Sequence, residues 1–190
     1  MNQMLITVEG LDGSGKTTLV HGLAEALGAT ALREPGGEPL AERIRTLVKD
    51  GAFDAHAEAL LFAAARAQLV ATQLRPRLVA GETLVLDRFV DSSLAYQGAG
   101  RGLGMDRVRA MNAFAMVPDR TLLLRIDPAT GLERVGGRGA VDRFEDLALL
   151  RRVAAAYEEL AAAEPARWVV LDAALPPDRL LAAALQALPA

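Results

Sequence analysis

Residues 9–18 read EGLDGSGKTT, directly after the apolar run LITV at residues 5–8. From Gly10 to Thr17 the spacing is one glycine, four residues, then Gly15-Lys16-Thr17. In such a loop the glycines let successive backbone N–H groups turn inward on a polyphosphate, the lysine reaches the β- and γ-oxygens, and the hydroxyl of the following threonine ligates Mg²⁺. A helix opening behind the loop adds the positive end of its dipole. Motors, switches and small-molecule kinases all use this device, so the acceptor of the phosphate has to be read elsewhere in the chain.

Composition narrows the field. At 190 residues and 52% hydrophobic content, with no linker-like break, residues 1–190 are expected to form one domain. The net charge of -3 provides no global basic field for nucleic acid or an anionic membrane, so neither is expected as a partner. There is no cysteine, which excludes disulfides and thiolate metal sites. No apolar run approaches membrane-spanning length and the N-terminus leads straight into a strand, so a soluble cytoplasmic protein is expected. Lysine occurs only at positions 16 and 49, and one of the two is in the loop.

Along the chain, apolar β-rich runs at 5–9, 29–33, 83–87, 121–127 and 168–172 alternate with helical periodicity near 16–27, 38–49, 55–75, 105–115, 128–135, 144–162 and 178–187. Most of the strands lack polar alternation, as strands buried on both faces of a parallel sheet do. The pattern predicts a doubly wound α/β fold of five parallel strands flanked by helices. Ligands of such sheets gather at the carboxyl ends of the strands. Those ends carry the loop, Arg33-Glu34-Pro35-Gly36-Gly37, and Asp87-Arg88-Phe89, with an arginine-bearing segment at 134–145 before the fifth strand. Guanidiniums beyond what one phosphate needs imply a second anionic substrate or a transition state that gathers charge. A guanine-reading Asn-Lys-x-Asp sequence is missing, which disfavours a switch GTPase, and the length leaves little room for a motor ATPase. A small phosphotransferase remains.

The segments EGLDGSGKTT, REPGG, DRFVDSSLAYQGAGRGL and GLERVGGRGAVDRFE occur in an order and at a spacing that resembles the thymidylate kinases, over nearly the whole chain. The resemblance implies a P-loop NTPase fold, Mg²⁺-dependent transfer of the γ-phosphate of ATP to dTMP giving dTDP and ADP, and a homodimer. Gly10, Gly13, Ser14, Gly15, Lys16, Thr17, Thr18 and Arg134 would then bind ATP. The dTMP-binding set would be Asp12, Arg33, Pro35, Phe62, Arg66, Arg88, Ser93, Tyr96 and Gln97, and Thr17 and Asp87 would meet the metal. By this likeness Asp12 reaches the 3′-hydroxyl, although an Asp before Gly is also an ordinary turn residue. Phe62 stacks on thymine and Arg66 donates to it. Their spacing of four puts them on one helix face, where, without the resemblance, a core phenylalanine and a solvated arginine would be the preferred reading. Arg88 clamps the acceptor phosphate, while Tyr96 and Gln97 close over sugar and base.

The segment from Gly131 to Glu145 reads as a lid, with Gly136, Gly137 and Gly139 for mobility and Arg134, Arg138 and Arg143 to meet phosphates, Asp142 and Glu145 lying among them. Gly13 and Ser14 leave the phosphate loop without a basic residue, as in family members that carry their arginines in the lid. This chain departs from many of those by having Gly136 and Gly137 where a further arginine stands, so Arg138 ranks first for catalysis, beside Lys16, Arg88 and Asp87. The stretch DAALPP is where the family holds adenine, largely through backbone. His21 and His56 lie on expected helices with no partner carboxylate or metal spacing, and read as structural. A kinase of UMP, CMP or AMP, and a nucleotide-binding module without transferase activity, are the alternatives.

Overall fold

A computed structural model describes residues 3–136 and 146–189 of the chain. Five strands form one all-parallel sheet in the order β2-β3-β1-β4-β5: β1 (Leu5–Gly10), β2 (Thr30–Arg33), β3 (Leu84–Asp87), β4 (Arg120–Arg125) and β5 (Trp168–Asp172). This is the doubly wound architecture that the apolar runs predict, with the fourth strand starting and ending slightly earlier. From β1 the chain winds to one side for β2 and β3 and to the other for β4 and β5. The crevice where the winding reverses therefore opens at the carboxyl end of β1, where the phosphate loop begins.

Strand alternation sends residues to two faces. Ile6, Val8, Leu122 and Leu124 pack with Leu19 and Leu23 of α1 (Lys16–Leu27) and with Leu180 of α9 (Pro177–Gln186). Leu123 turns to the opposite face, against Leu149, Val153, Tyr157 and Leu160 of α8 (Leu147–Ala163). Also on that face, Leu5, Leu84 and Leu86 meet Leu69, Leu74 and Phe89. Between β2 and β3, α2 (Pro39–Asp50) packs on α3 (Ala55–Leu69) through Ala41, Ile44, Val48 and Ala65.

The expected single helix at 55–75 is three segments. After α3 comes a π-helical turn at Val70–Leu74, then α4 (Arg75–Val79). Pro76 cannot donate an α-helical bond back to Thr72, and the backbone widens immediately before it. A second π-helical turn, Leu94–Gly100, follows the short helix α5 (Val90–Ser93), in a stretch to which the sequence reading gave no element. It is followed by α6 (Met105–Met111), shorter than expected, and after β4 by α7 (Pro128–Gly136).

One buried ion pair ties α5 to the far end of the sheet. Arg167, just before β5, donates from Nη1 and Nη2 to the carboxylate of Asp91 at 2.6 and 3.2 Å and from Nη1 to Thr121 at 2.7 Å. Removing one partner of a buried pair strands the other charge, whereas removing both can be nearly neutral. Arg167→Met is expected to lower unfolding stability by about 3–5 kcal/mol in urea denaturation. The double variant Arg167→Met/Asp91→Leu is expected to recover most of that loss.

Candidate active site

The loop after β1 is closed tightly from above. Gly13 has φ 80°, and a Cβ there would lie 2.3 Å from the carbonyl oxygen of Gly131 on α7, so no side chain fits. Gly15 (φ 92°) then turns the chain into α1. Lys16 is buried; its ammonium donates to the Leu11 carbonyl at 2.8 Å and lies 3.6 Å from the Asp12 carboxylate. Burial, and next the Arg88 charge, push the Lys16 ammonium down to about 8. Thr17 donates its hydroxyl to Asp87 Oδ2 at 2.7 Å, because the parallel register sets Val8 beside Asp87 and brings the end of β3 to the loop. The two residues expected at the metal thus touch.

Arg88 follows with a left-handed backbone, φ 69°, the single described non-glycine residue in that region. Its N–H is bonded to the Val8 carbonyl at 3.0 Å. Its guanidinium lies over the Tyr96 ring, 5.0 Å from the centroid, and donates to Asp12 Oδ1 at 2.7 Å and to Ser92 Oγ at 3.0 Å. The Arg88 charge, followed by that of Lys16, holds the Asp12 carboxyl far below the usual carboxylate range against the opposing effect of burial. Behind Arg88 stands Glu9, fully buried, which accepts from the Phe89 N–H at 2.8 Å, from Ser92 at 2.5 Å and from Tyr157 at 3.0 Å. Burial and the neighbouring Asp91 raise the Glu9 carboxyl.

Two cavities meet at Arg88. The smaller, about 120 Å³, is walled by Asp12, Pro35, Phe62, Arg66, Arg88, Ser93, Tyr96 and Gln97, along with Glu34 and Ser92. The larger, about 750 Å³, runs along the phosphate loop and takes in Lys16, Thr17, Thr18, Asp87 and three further cations, Arg33, Arg45 and Lys49. Asp12 and Arg88 border both, as do Glu34, Pro35 and Phe62. The smaller pocket therefore opens directly onto the phosphate loop.

Similarity to known proteins agrees with that geometry. A thymidylate kinase profile matches residues 8–183. The chain belongs to the thymidylate kinase family. It is 48% identical to a thymidylate kinase of Deinococcus radiodurans over 93% of this chain and 92% of that one. It is 42% identical to that of Lactobacillus delbrueckii over 98% and 95%. Among solved structures, thymidylate kinase from Ehrlichia chaffeensis superposes with a TM-score of 0.82 at 29% identity, covering 98% of both chains. The fold is therefore that of the P-loop NTPases, and the family is one of nucleoside monophosphate kinases.

Of the nine acceptor residues that the resemblance implies, eight line the smaller cavity and Arg33 does not. Arg33 lines the larger cavity instead, and its guanidinium is held by Glu42 of α2 at 2.7 Å. It ends the outermost strand β2, half exposed, where the nearest carboxylate captures it. Arg66 lines the smaller cavity but is no free donor. Only 3% exposed, it donates Nε to Glu34 at 2.7 Å, Nη1 to Asn112 at 2.6 Å, and Nη2 to the Phe89 carbonyl at 3.0 Å and to Ser93 at 3.1 Å. Four of its five N–H groups are occupied, so it presents a fixed edge. Its partner Glu34 is raised to about 7 by burial, in spite of the Arg66 charge.

Arg134 donates to the carbonyls of Gly13 at 3.3 Å and Ala173 at 3.2 Å, joining the phosphate loop to the turn after β5 where adenine is expected. Arg138, Asp142, Arg143 and Glu145 lie outside the described residues. His21 lines the larger cavity. His56, read as having no carboxylate partner, has Asp54 at 3.3 Å and Arg107 at 3.0 Å. Glu9, Ser92 and Tyr157 are the residues that the sequence reading missed. The signal available was Glu9 itself, an acid closing an apolar strand, which demands buried partners.

The low position of Lys16 has a measurable consequence. Its charge is lost as pH rises through about 8, and a polyphosphate placed against it would hold the proton on. The pH profile of kcat/KM for ATP, which reports the free enzyme, should fall above about 8, and the profile of kcat should fall later.

Proposed function

We propose that the chain transfers the γ-phosphate of ATP to dTMP, giving dTDP and ADP, with ATP on the phosphate loop and dTMP in the smaller cavity. The observation that carries this reading is the shared border: Glu34, Pro35, Phe62, Asp12 and Arg88 line both cavities, and of these Arg88 is the cation that would meet donor and acceptor phosphates together. On this reading Phe62 stacks on the base, Arg66, Ser93 and Gln97 meet its polar edge, Pro35 and Tyr96 flank the nucleotide, and Asp12 meets the 3′-hydroxyl. Residues 1–190 act as one kinase domain.

The acceptor phosphate is already an anionic nucleophile, so the protein need supply only position and charge. Lys16 donates to the Leu11 carbonyl and Arg88 to the Asp12 carboxylate, contacts that phosphate oxygens would replace. Thr17 and Asp87, a hydroxyl and a carboxylate in contact at 2.7 Å, are an all-oxygen pair that would suit Mg²⁺. When bound, Mg²⁺ would neutralise charge on the β- and γ-oxygens. Arg134, on α7, secures the loop on the adenine side, while Arg138, with Arg143, would serve the transferring group from the expected lid, to which Asp142 and Glu145 also belong.

Leu40 and Leu47, seven apart on α2, and Leu60 on the adjoining α3 are exposed by 44, 48 and 55%. Residues seven apart share a helix face, and this apolar surface supports a homodimer. No described helix is long and apolar enough to cross a membrane. A cytoplasmic site of action suits substrates of the nucleotide pool.

Release of ADP measured over dTMP, UMP, CMP and AMP tests the assignment; dTMP is expected to be strongly preferred, and equal or greater turnover of another acceptor would refute it. Base stacking on an aromatic ring is worth about 1–3 kcal/mol. Phe62→Ala should therefore raise KM for dTMP about tenfold or more while kcat changes little, as for uniform binding. A fall in kcat alone would move the base away from Phe62.

A further inference from the structure

Glu58 of α3 has no part in the roles assigned above, yet it is a carboxylate with 0% exposure set behind the wall of the smaller cavity. Its Oε1 accepts a hydrogen bond from Nε2 of Gln97 at 2.9 Å, and its Oε2 lies 3.5 Å from Nη2 of Arg101. A carboxylate accepts hydrogen bonds and donates none. Gln97 can therefore meet Glu58 only through its NH₂ end. The amide oxygen is turned away from Glu58, and among the described residues it takes no hydrogen bond, although Gln97 lines the cavity. Beside it on the same wall stands Arg66, which can only donate.

An unrestrained glutamine can offer either end of its amide to a ligand; this one cannot. We propose that Glu58 is a positioning residue for base selection: by holding Nε2 of Gln97 it makes the cavity present an oxygen acceptor, which favours pyrimidines carrying N–H at position 3 and rejects cytosine. Thymine and uracil offer N3–H and a 4-keto oxygen, matching an acceptor and a donor. Cytosine offers a lone pair at N3 and an amine at position 4, and both oppose what they meet. The proposal rests on the placement of the base against Phe62, Arg66 and Gln97. It adds that the orientation of Gln97 is set from behind by a residue that does not touch the substrate. The widened turn Leu94–Gly100 contributes by presenting Gln97 between the cavity and α3.

Glu58→Gln preserves size and a hydrogen bond but can donate as well as accept, so Gln97 is free to turn. The measurement is kcat/KM for dTMP and for dCMP. The preference for dTMP is expected to narrow about tenfold, the scale of one hydrogen bond made or left unpaired at a buried site. Damage that is merely structural would depress both acceptors in proportion, and an unchanged ratio would overturn the proposal. Gln97→Met separates this from the placement. If the ratio narrows in Gln97→Met but not in Glu58→Gln, the placement stands and the role of Glu58 fails; if it narrows in neither, the placement fails as well. The unaltered enzyme provides a second reading that no folding defect can obscure. As inhibitors competing with dTMP, 3-deaza-dCMP, which replaces the N3 lone pair with C–H, should bind more tightly than dCMP. The reverse order would show that an N–H group faces that position, and would overturn the proposal.

Discussion

Arg88 occupies a backbone conformation that costs a non-glycine residue about 1–2 kcal/mol, and the site is organised around keeping it there. Its own N–H is bonded to the Val8 carbonyl, the next N–H is fixed by Glu9, and the Phe89 ring that follows is wholly buried. Three constraints on two consecutive residues leave the chain no relaxed alternative. The consequence is directional. Instead of continuing the line of β3, the guanidinium turns over the Tyr96 ring into the junction of the two cavities. Strain kept by its surroundings at a functional site is a form of preorganisation.

At the same junction one carboxylate balances two cations. Lys16 and Arg88 would repel each other in a low-dielectric setting, and Asp12 lies between them, 3.6 Å from one and 2.7 Å from the other. Asp12 thus sits in this loop as the counter-charge to two cations. On the proposed reading, phosphate oxygens would take over its place at Arg88. Such exchange keeps reorganisation small at the moment of transfer.

How much of this could be read from the sequence follows from the range of the interactions. The phosphate loop and the five strands are local patterns, and spacing alone exposes them, whereas the roles of Phe62 and Arg66 come only with the family resemblance. Glu9 was read as the end of a strand because its partners, Ser92 and Tyr157, are 83 and 148 residues away. Both π-helical turns escaped notice because periodicity near 3.6 residues does not distinguish a widened turn. The role of Glu58 is hidden for a further reason. Its effect passes through the orientation of another side chain, which no spacing rule encodes.

Arginine serves two duties in this chain. Those near the sheet edge, Arg33, Arg88 and the segment 134–145, point to a second anionic substrate or a transition state that gathers charge, while others join elements of the fold. Arg88 does face the shared junction, but Arg66 spends four donors on Glu34, Asn112, Phe89 and Ser93, and Arg167 binds Asp91, Thr121 and Glu164. A lysine has three donors on a single atom and could not span such a set. In a chain with two lysines, arginine has become the means of joining elements that are distant in sequence: α3 to α5 and α6, and the start of β5 to α5. The pocket wall is then rigid because one of these joints forms part of it. Arg66 lines the smaller cavity as a fixed edge, held by the same bonds that join α3 to α5 and to the end of α6.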